Sequence, residues 1–320
     1  MAMNDALTIR RLAPADLPAI MRLQAGYAAE YPGVPVIPGE VYLSPGFESG
    51  RNVFCAFDAA GGLVGYAPVY PVLVPDGVNA PHKIWAEVRV DPRLAEPLPV
   101  KGRLWEAVNG RAREIAAAAP AHPSHLVFQY YPIETPSIAY VLAQGCEHTE
   151  SIFQMARDLS APIPVGPELP GLDVRRWRMA SEAEQRVYVQ AHNAAFPDAP
   201  LALGDWQYFM QSPQWATGAC IAAFDGTEVV GSVTVFEDTV RDDSGGELRV
   251  GFTERIFVRP AWRRRGVARH LIGEGLRYLK ARNLGEACLE VLAENRQALR
   301  LYEDMSYRVA RESRLYVMHI

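Results

Sequence analysis

The opening of this chain reappears near its middle. Ile9-Arg10-Arg11 is echoed by Val174-Arg175-Arg176, and each leads into a helical pattern, Asp16 to Met21 and Glu182 to Tyr188. Val64-Gly65-Tyr66 answers Val230-Gly231-Ser232, Val88 to Pro92 answers Ile256 to Pro260, and Leu142 to Cys146 answers Glu303 to Tyr307. The offset stays within about 161 to 168 residues, which is the signature of a duplicated unit. At 320 residues the chain is long enough for two domains, each with its own core. Residues 1–160 are therefore expected to form one copy and 172–320 the other. Ala161 to Gly171 carries Pro162, Pro164, Pro167 and Pro170, which neither continue a helix nor donate within a sheet, and reads as the linker at 161–171.

Composition excludes several classes. With 49% hydrophobic and 22% charged residues the chain is neither disordered nor fibrous, and no apolar run reaches the roughly 18 residues of a membrane span. A net charge of −5 argues against a general nucleic-acid binder, which needs a surplus of Lys and Arg. The N-terminus lacks a secretory pattern, and Cys55, Cys146, Cys220 and Cys288 show no pairing or metal spacing. A soluble cytoplasmic protein with buried thiols is expected, as a monomer or homodimer, with no metal site; His122 and His125 lie in a Pro-broken loop without acidic or Cys partners.

In the second copy, Glu228 to Phe236 and Leu248 to Val258 are rich in β-branched and aromatic residues and read as strands around a Gly245-Gly246 turn. From Gly266 to Arg282, apolar Val267, Ala268, Leu271, Ile272, Leu276 and Leu279 recur at helical spacing, with Arg269, Glu274, Arg277 and Lys280 opposite. Ala287 to Leu292 reads as a strand, Asn295 to Met305 as a helix, and Tyr307 to Ile320 as a closing hairpin or strand pair. The fold class is α/β: a mixed, largely antiparallel sheet with flanking helices in each of two tandem domains.

Between the second strand and its helix stands Arg263-Arg264-Arg265-Gly266-Val267-Ala268. A helix start presents backbone N–H groups and the positive end of the helix dipole, so it suits an anion such as a diphosphate. Gly266 permits close approach, and Ala268 keeps the first turn small. Taken alone, such a run reads equally well as a solvated basic surface.

With its surroundings, this loop resembles the motif Gln/Arg-x-x-Gly-x-Gly/Ala of the GNAT acyltransferases, supplied by Arg263, Gly266 and Ala268 in register. A second motif of that family matches at Asn295 and Tyr302, within Glu290 to Tyr307. Singly, Asn295 reads as a helix cap and Tyr302 as a packed side chain. The resemblance is strong from Glu228 to Ile320 and only in outline from Gly171 to Thr227. It implies that acetyl-CoA is the cosubstrate. The Arg263 to Ala268 loop with Arg269 would hold its diphosphate, and Ile256, Phe257 and Val258, on a splayed strand, would pair with its pantetheine arm. Asn295 and Tyr302 would complete the cofactor site.

The resemblance further implies direct attack by a primary amine of a small molecule or peptide, with a backbone N–H near Val258 stabilising the oxyanion. Tyr302 would protonate the departing thiolate. Glu254, which on a regular strand shares a face with Ile256 and Val258, is the candidate base, against the plainer reading of an ion pair or solvent-facing carboxylate. Asp198, Asp205 and Trp206 would flank the acceptor, or else cap and pack a helix.

Pro99 to Leu104 stands near the loop's position in the first copy, where Pro99 withdraws a donor and Leu104 adds bulk. Glu134 and Val141 take the positions of Asn295 and Tyr302. The first copy is thus expected to be a degenerate domain, and its Tyr27, Tyr31, Tyr66 and Tyr70 to be core or rim. Two other readings compete: a non-catalytic acyl-CoA sensor or partner-binding module, and a tandem-GNAT aminoacyl transferase.

Overall fold

A computed structural model of the chain describes residues 7–241 and 246–320; Gly245 of the expected turn lies outside them. The described chain divides into two compact units, one made of residues 7–149 with Arg314–Ile320, the other of Glu150–Val240 with Glu247–Ser313.

In the first unit β1 (Thr8–Arg11) is followed by α1 (Leu17–Glu30), β2 (Val53–Phe57), β3 (Leu63–Val72), β4 (His82–Ala86) and the short β5 (Arg89–Val90). Then come α2 (Pro97–Ala118), β6 (Ser124–Tyr130) and α3 (Thr135–Ala143). The strands run in the order β1-β2-β3-β4-β6, β5 pairs with β3, and Arg314 to His319 completes the sheet by pairing antiparallel with β6. Apolar side chains bury both faces. Val100, Leu104, Val108 and Ala112 of α2 pack on one, and Ile20 and Leu23 of α1 on the other.

The second unit contains β7 (Glu147–Asp158) from residue 150 onward, then β8 (Asp173–Trp177), α4 (Glu182–Ala195), α5 (Leu203–Phe209), α6 (Pro213–Thr217) and β9 (Ala219–Asp225). It continues with β10 (Glu228–Arg241), β11 (Glu247–Val258), α7 (Val267–Lys280), β12 (Glu286–Leu292), α8 (Arg296–Asp304) and the start of β13 (Arg308–His319). Its strand order is β7-β12-β11-β10-β9-β8. Val267, Leu271, Ile272, Leu276 and Leu279 are the buried stripe of α7, in the helical spacing expected, and they cover one sheet face with Leu299 and Tyr302 of α8. The opposite face carries Tyr188, Val189 and Trp206. The closing segment differs from expectation: Arg308 to His319 is one continuous strand, not a hairpin.

Backbone detail bears out the duplication. Glu134 precedes α3 as Asn295 precedes α8, at the N-cap of each helix. Both helices end alike: Gly145 and Ser306 adopt left-handed backbone (φ 90° and 67°), and the next N–H reaches back, Cys146 to the Val141 carbonyl at 3.1 Å and Tyr307 to that of Tyr302 at 3.0 Å. Asp16 and Glu184 likewise each accept from the backbone N–H three residues before, Ala13 at 2.8 Å and Ser181 at 3.0 Å. The four cysteines are buried, free thiols, and burial pushes each up to about 12.

Candidate active site

Strand β11 ends against Pro260, and the turn after it delivers the chain to α7 through two left-handed residues, Arg264 (φ 65°) and Gly266 (φ 81°). Gly266 is the N-cap, and its position admits no side chain. A Cβ there would lie 2.2 Å from Cγ of Pro167, in the Pro-rich segment that passes alongside. That segment is fastened to the helix by the Pro167 carbonyl, 3.0 Å from His270 Nδ1. Inside α7 the first bond is from His270 N–H to the Gly266 carbonyl at 3.0 Å, so the N–H groups of Val267, Ala268 and Arg269 precede the intrahelical ladder.

These donors face a cleft of about 880 Å³. Eleven of the expected residues line it: Ile256, Phe257 and Val258 from β11, Arg263, Arg264, Gly266, Val267, Ala268 and Arg269 from the loop and α7, and Asn295 and Tyr302 at α8. Arg265 and Glu254 do not. Arg265 lies instead over the Trp262 ring, 4.8 Å from its centroid. Among the loop arginines, Arg263 is spent on structure. Its Nε donates to the Val258 carbonyl at 3.1 Å and a terminal nitrogen to that of Ala195 at 3.2 Å. Arg269 pairs with Asp304 at 2.6 Å. What the loop itself offers an anion is backbone N–H, the helix dipole and the Arg264 side chain, which lines the cleft. Sequence reasoning missed Phe196, Trp262, Arg296 and Arg300 in the lining. Arg296 and Arg300 stand one turn apart on α8, a spacing that was there to be read.

Asn295 caps α8, its Oδ1 accepting from Ala298 N–H at 3.1 Å. Tyr302 is 8% exposed, its ring 6.1 Å from that of Tyr307. Its hydroxyl has no hydrogen-bond partner among the described residues, and burial holds the phenol up to about 12.

The expected shared face of Glu254, Ile256 and Val258 is corrected by a bulge. A Cβ on Gly251 would meet Leu279, and the Thr253 hydroxyl contacts that of Tyr307 at 2.9 Å, so both look toward α7 and α8, where Ile256 and Val258 also pack. From 253 to 256 is an odd step, possible because Arg255 takes left-handed backbone (φ 45°) and inverts the alternation. Glu254 thereby faces the other side with Phe252, and Phe257 packs there beside Tyr188. Glu254 accepts from Arg255 at 3.2 Å with its side chain 41% exposed. Desolvation raises its carboxyl above the ordinary range, Asp238 adds to the rise, and Arg255 opposes it.

Arg255 also lies over the rings of Phe209 (4.9 Å) and Trp206 (5.5 Å). Trp206 is fully buried and stacks on Tyr188 at 4.3 Å, so it packs the core; Ala202, not Asp205, caps α5, and Asp198 is exposed.

The first unit builds the corresponding place differently. Its helix α2 starts with Pro97-Leu98-Pro99, so only Leu98 of the first three residues has an N–H to offer. The counterpart of the loop is therefore this start, not Pro99 to Leu104, which lies within the helix. The carboxylate of Glu134, wholly buried, accepts from the Tyr27 hydroxyl at 2.9 Å and Tyr131 N–H at 2.7 Å and stands 3.9 Å from buried Arg89.

Among the described residues no cluster of three or more His, Cys, Asp or Glu side chains is placed to hold a metal ion, and no helix is long and apolar enough to cross a membrane.

Residues 178–307 match the model of the Acetyltransferase (GNAT) family. A mycothiol acetyltransferase of Thermobispora bispora is 27% identical over 94% of this chain and 96% of its own length. Another, of Acidothermus cellulolyticus, is 29% identical over 93% and 90%. A GCN5-related N-acetyltransferase of Sphaerobacter thermophilus, 23% identical, superposes with a TM-score of 0.70 over 99% of this chain and 97% of that one. A tandem GNAT protein from the clavulanic acid biosynthesis pathway, 13% identical, gives 0.67 over 98% of each. A GNAT acetyltransferase domain thus occupies residues 178–307 of a tandem fold, and the comparisons support an N-acetyltransferase that draws its acetyl group from acetyl-CoA.

Proposed function

We propose that the cleft of the second unit binds one acetyl-CoA per chain and passes its acetyl group to the primary amine of a small molecule. The observation that carries this reading is the meeting, in one cleft, of three N–H groups at the start of α7 with the unpartnered hydroxyl of Tyr302. The N–H groups would hold the diphosphate, and Ile256 to Val258 would run beside the pantetheine. The amine nitrogen attacks the thioester carbon, a C–N bond forms, and the C–S bond breaks. Tyr302 donates a hydrogen bond to the growing thiolate. With its phenol up to about 12, complete transfer of its proton to a thiolate with reference pKa about 8.5 runs uphill, so solvent completes the protonation. Glu254, on the other face of β11 and a stronger base than an ordinary carboxylate, is the proposed acceptor of the proton lost by an ammonium that approaches from that side of the parting strands. A small-molecule acceptor is favoured by the two mycothiol acetyltransferases that align along nearly the whole chain.

The same reading makes the first unit, expected from the sequence at 1–160, a domain without acetyl-CoA and the second, expected at 172–320, the catalytic one, with residues 150–160 falling in the second unit and 314–320 in the first. The prolines that open α2 and the buried Glu134–Arg89 pair support it. Calorimetry with acetyl-CoA tests both claims. One site per chain is the expected result, with stabilisation near ~2.7 kcal/mol when ligand exceeds its Kd about 100-fold. No binding sinks the reading, and two sites sink the division of labour.

A further inference from the structure

Strands β11 and β12 run parallel, and their paired ladder ends at Gly251↔Ala287 and Phe252↔Cys288. Two residues beyond the last pair stand Glu254 on one strand and Glu290 on the other. Ala287, Leu289 and Val291 point into the core under α7, so Glu290 points to the opposite face, the one that Phe252 and Glu254 occupy. Glu290 is exposed and has no ion-pair partner among the described residues. Arg255 meets only the first of these carboxylates, at 3.2 Å. The Phe252 ring beside them stacks on Phe236 at 5.3 Å, giving the two carboxylates an aromatic floor.

We propose that Glu290 is a specificity-determining residue of the acceptor site. With Glu254 it forms a pair of carboxylates at the mouth of the parting strands that admits an amine arriving as a cation and turns away one carrying a carboxylate next to it. This rests on the acetyltransferase reading above and names its substrate class: amines, amino alcohols and amino sugars, rather than α-amino acids. The physical reason is charge. Two carboxylates side by side just beyond the end of the β11–β12 ladder attract an ammonium and repel a second anion. The groups around the pair are few. Arg255 on β11 and Asp238 on β10 face Glu254, and Gln154 on β7 stands across from Glu290. Like charge acts between the two, since Glu254 helps to hold the Glu290 carboxyl above its ordinary value, after desolvation.

The test compares the full-length protein with its Glu290→Gln and Glu290→Asp variants. 2-Aminoethanol, glucosamine and glycine serve as acceptors, with acetyl-CoA binding measured alongside. The wild type is expected to favour the better of the two neutral-bodied amines over glycine by at least ~30-fold in kcat/KM. Glu290→Gln should shrink that ratio at least ~5-fold, mainly through KM for the amine, while acetyl-CoA binds within about twofold of wild type. It should also move the acidic limb of kcat/KM to lower pH, because the remaining carboxylate loses its like-charged neighbour. Glu290→Asp should keep most of the discrimination. An unchanged ratio and an unmoved limb in an active Glu290→Gln enzyme overturn this proposal alone. A wild type that binds acetyl-CoA but acetylates none of the three acceptors overturns the substrate class, and one that does not bind acetyl-CoA removes the reading beneath it.

Discussion

Replacing Gly266 by Ala probes the start of α7 at its tightest point. Two costs add. Left-handed backbone at φ 81° costs a residue with a Cβ about 1–2 kcal/mol relative to glycine. The new methyl would fall 2.2 Å from Cγ and 3.2 Å from Cδ of Pro167, an overlap of the kind that costs about 1–3 kcal/mol to relieve. Urea unfolding of the ligand-free protein should therefore show a loss of roughly 2–5 kcal/mol. Relief of the clash turns the first N–H groups of the helix away from the cleft, so acetyl-CoA affinity should fall at least ~10-fold, or about 1.4 kcal/mol. Pro167→Ala removes Cγ and Cδ and leaves a Cβ at 3.5 Å, an ordinary contact. In a double-mutant cycle, Pro167→Ala should recover the overlap part of the loss and leave the backbone part, a coupling of about 1–3 kcal/mol. A Gly266→Ala protein within ~0.5 kcal/mol of wild type, or a coupling indistinguishable from zero, refutes the account of why glycine stands here.

That clash shows where the sequence stops being informative. The loop, the helix after it and the two α8 residues were legible because each rests on local pattern: an arginine run into a glycine, a 3.6-residue stripe, and a cap seven residues before a tyrosine. The duplication was legible for the same reason, and the matched turns at Gly145 and Ser306 are its backbone trace. Pro167 against Gly266 was not, because ninety-nine positions separate them and proline announces only that no helix continues. The bulge at Arg255 was hidden too. Arginine has no preference for left-handed backbone, so alternation was the natural expectation, and it placed Glu254 on the wrong face. Arg263 shows the complementary limit. Its motif position reads as phosphate-binding, yet two carbonyls claim its guanidinium, and only tertiary packing brings Ala195 within reach.

Two further expectations follow from the site itself. Tyr302→Phe should lower kcat by roughly 10²-fold or more while leaving acetyl-CoA affinity within about twofold, because the hydroxyl acts on the leaving sulfur and not on the bound ground state. Since burial holds the phenol up to about 12, its ionisation cannot produce an alkaline limb in the pH–rate profile below about pH 11; a limb near 10 that disappears in Tyr302→Phe would contradict the burial argument. For Glu254 the sign runs the other way along the pH axis. Its carboxyl is held above the usual ~4.3, so the base form fills only above that raised value, and kcat/KM should climb with pH through it. Glu254→Gln removes the base and should flatten that climb, leaving a residual rate that rises with pH as the free amine itself deprotonates. If the climb survives the substitution unchanged, the proton leaves by another route, and Glu254 with its displaced face serves only to attract the acceptor.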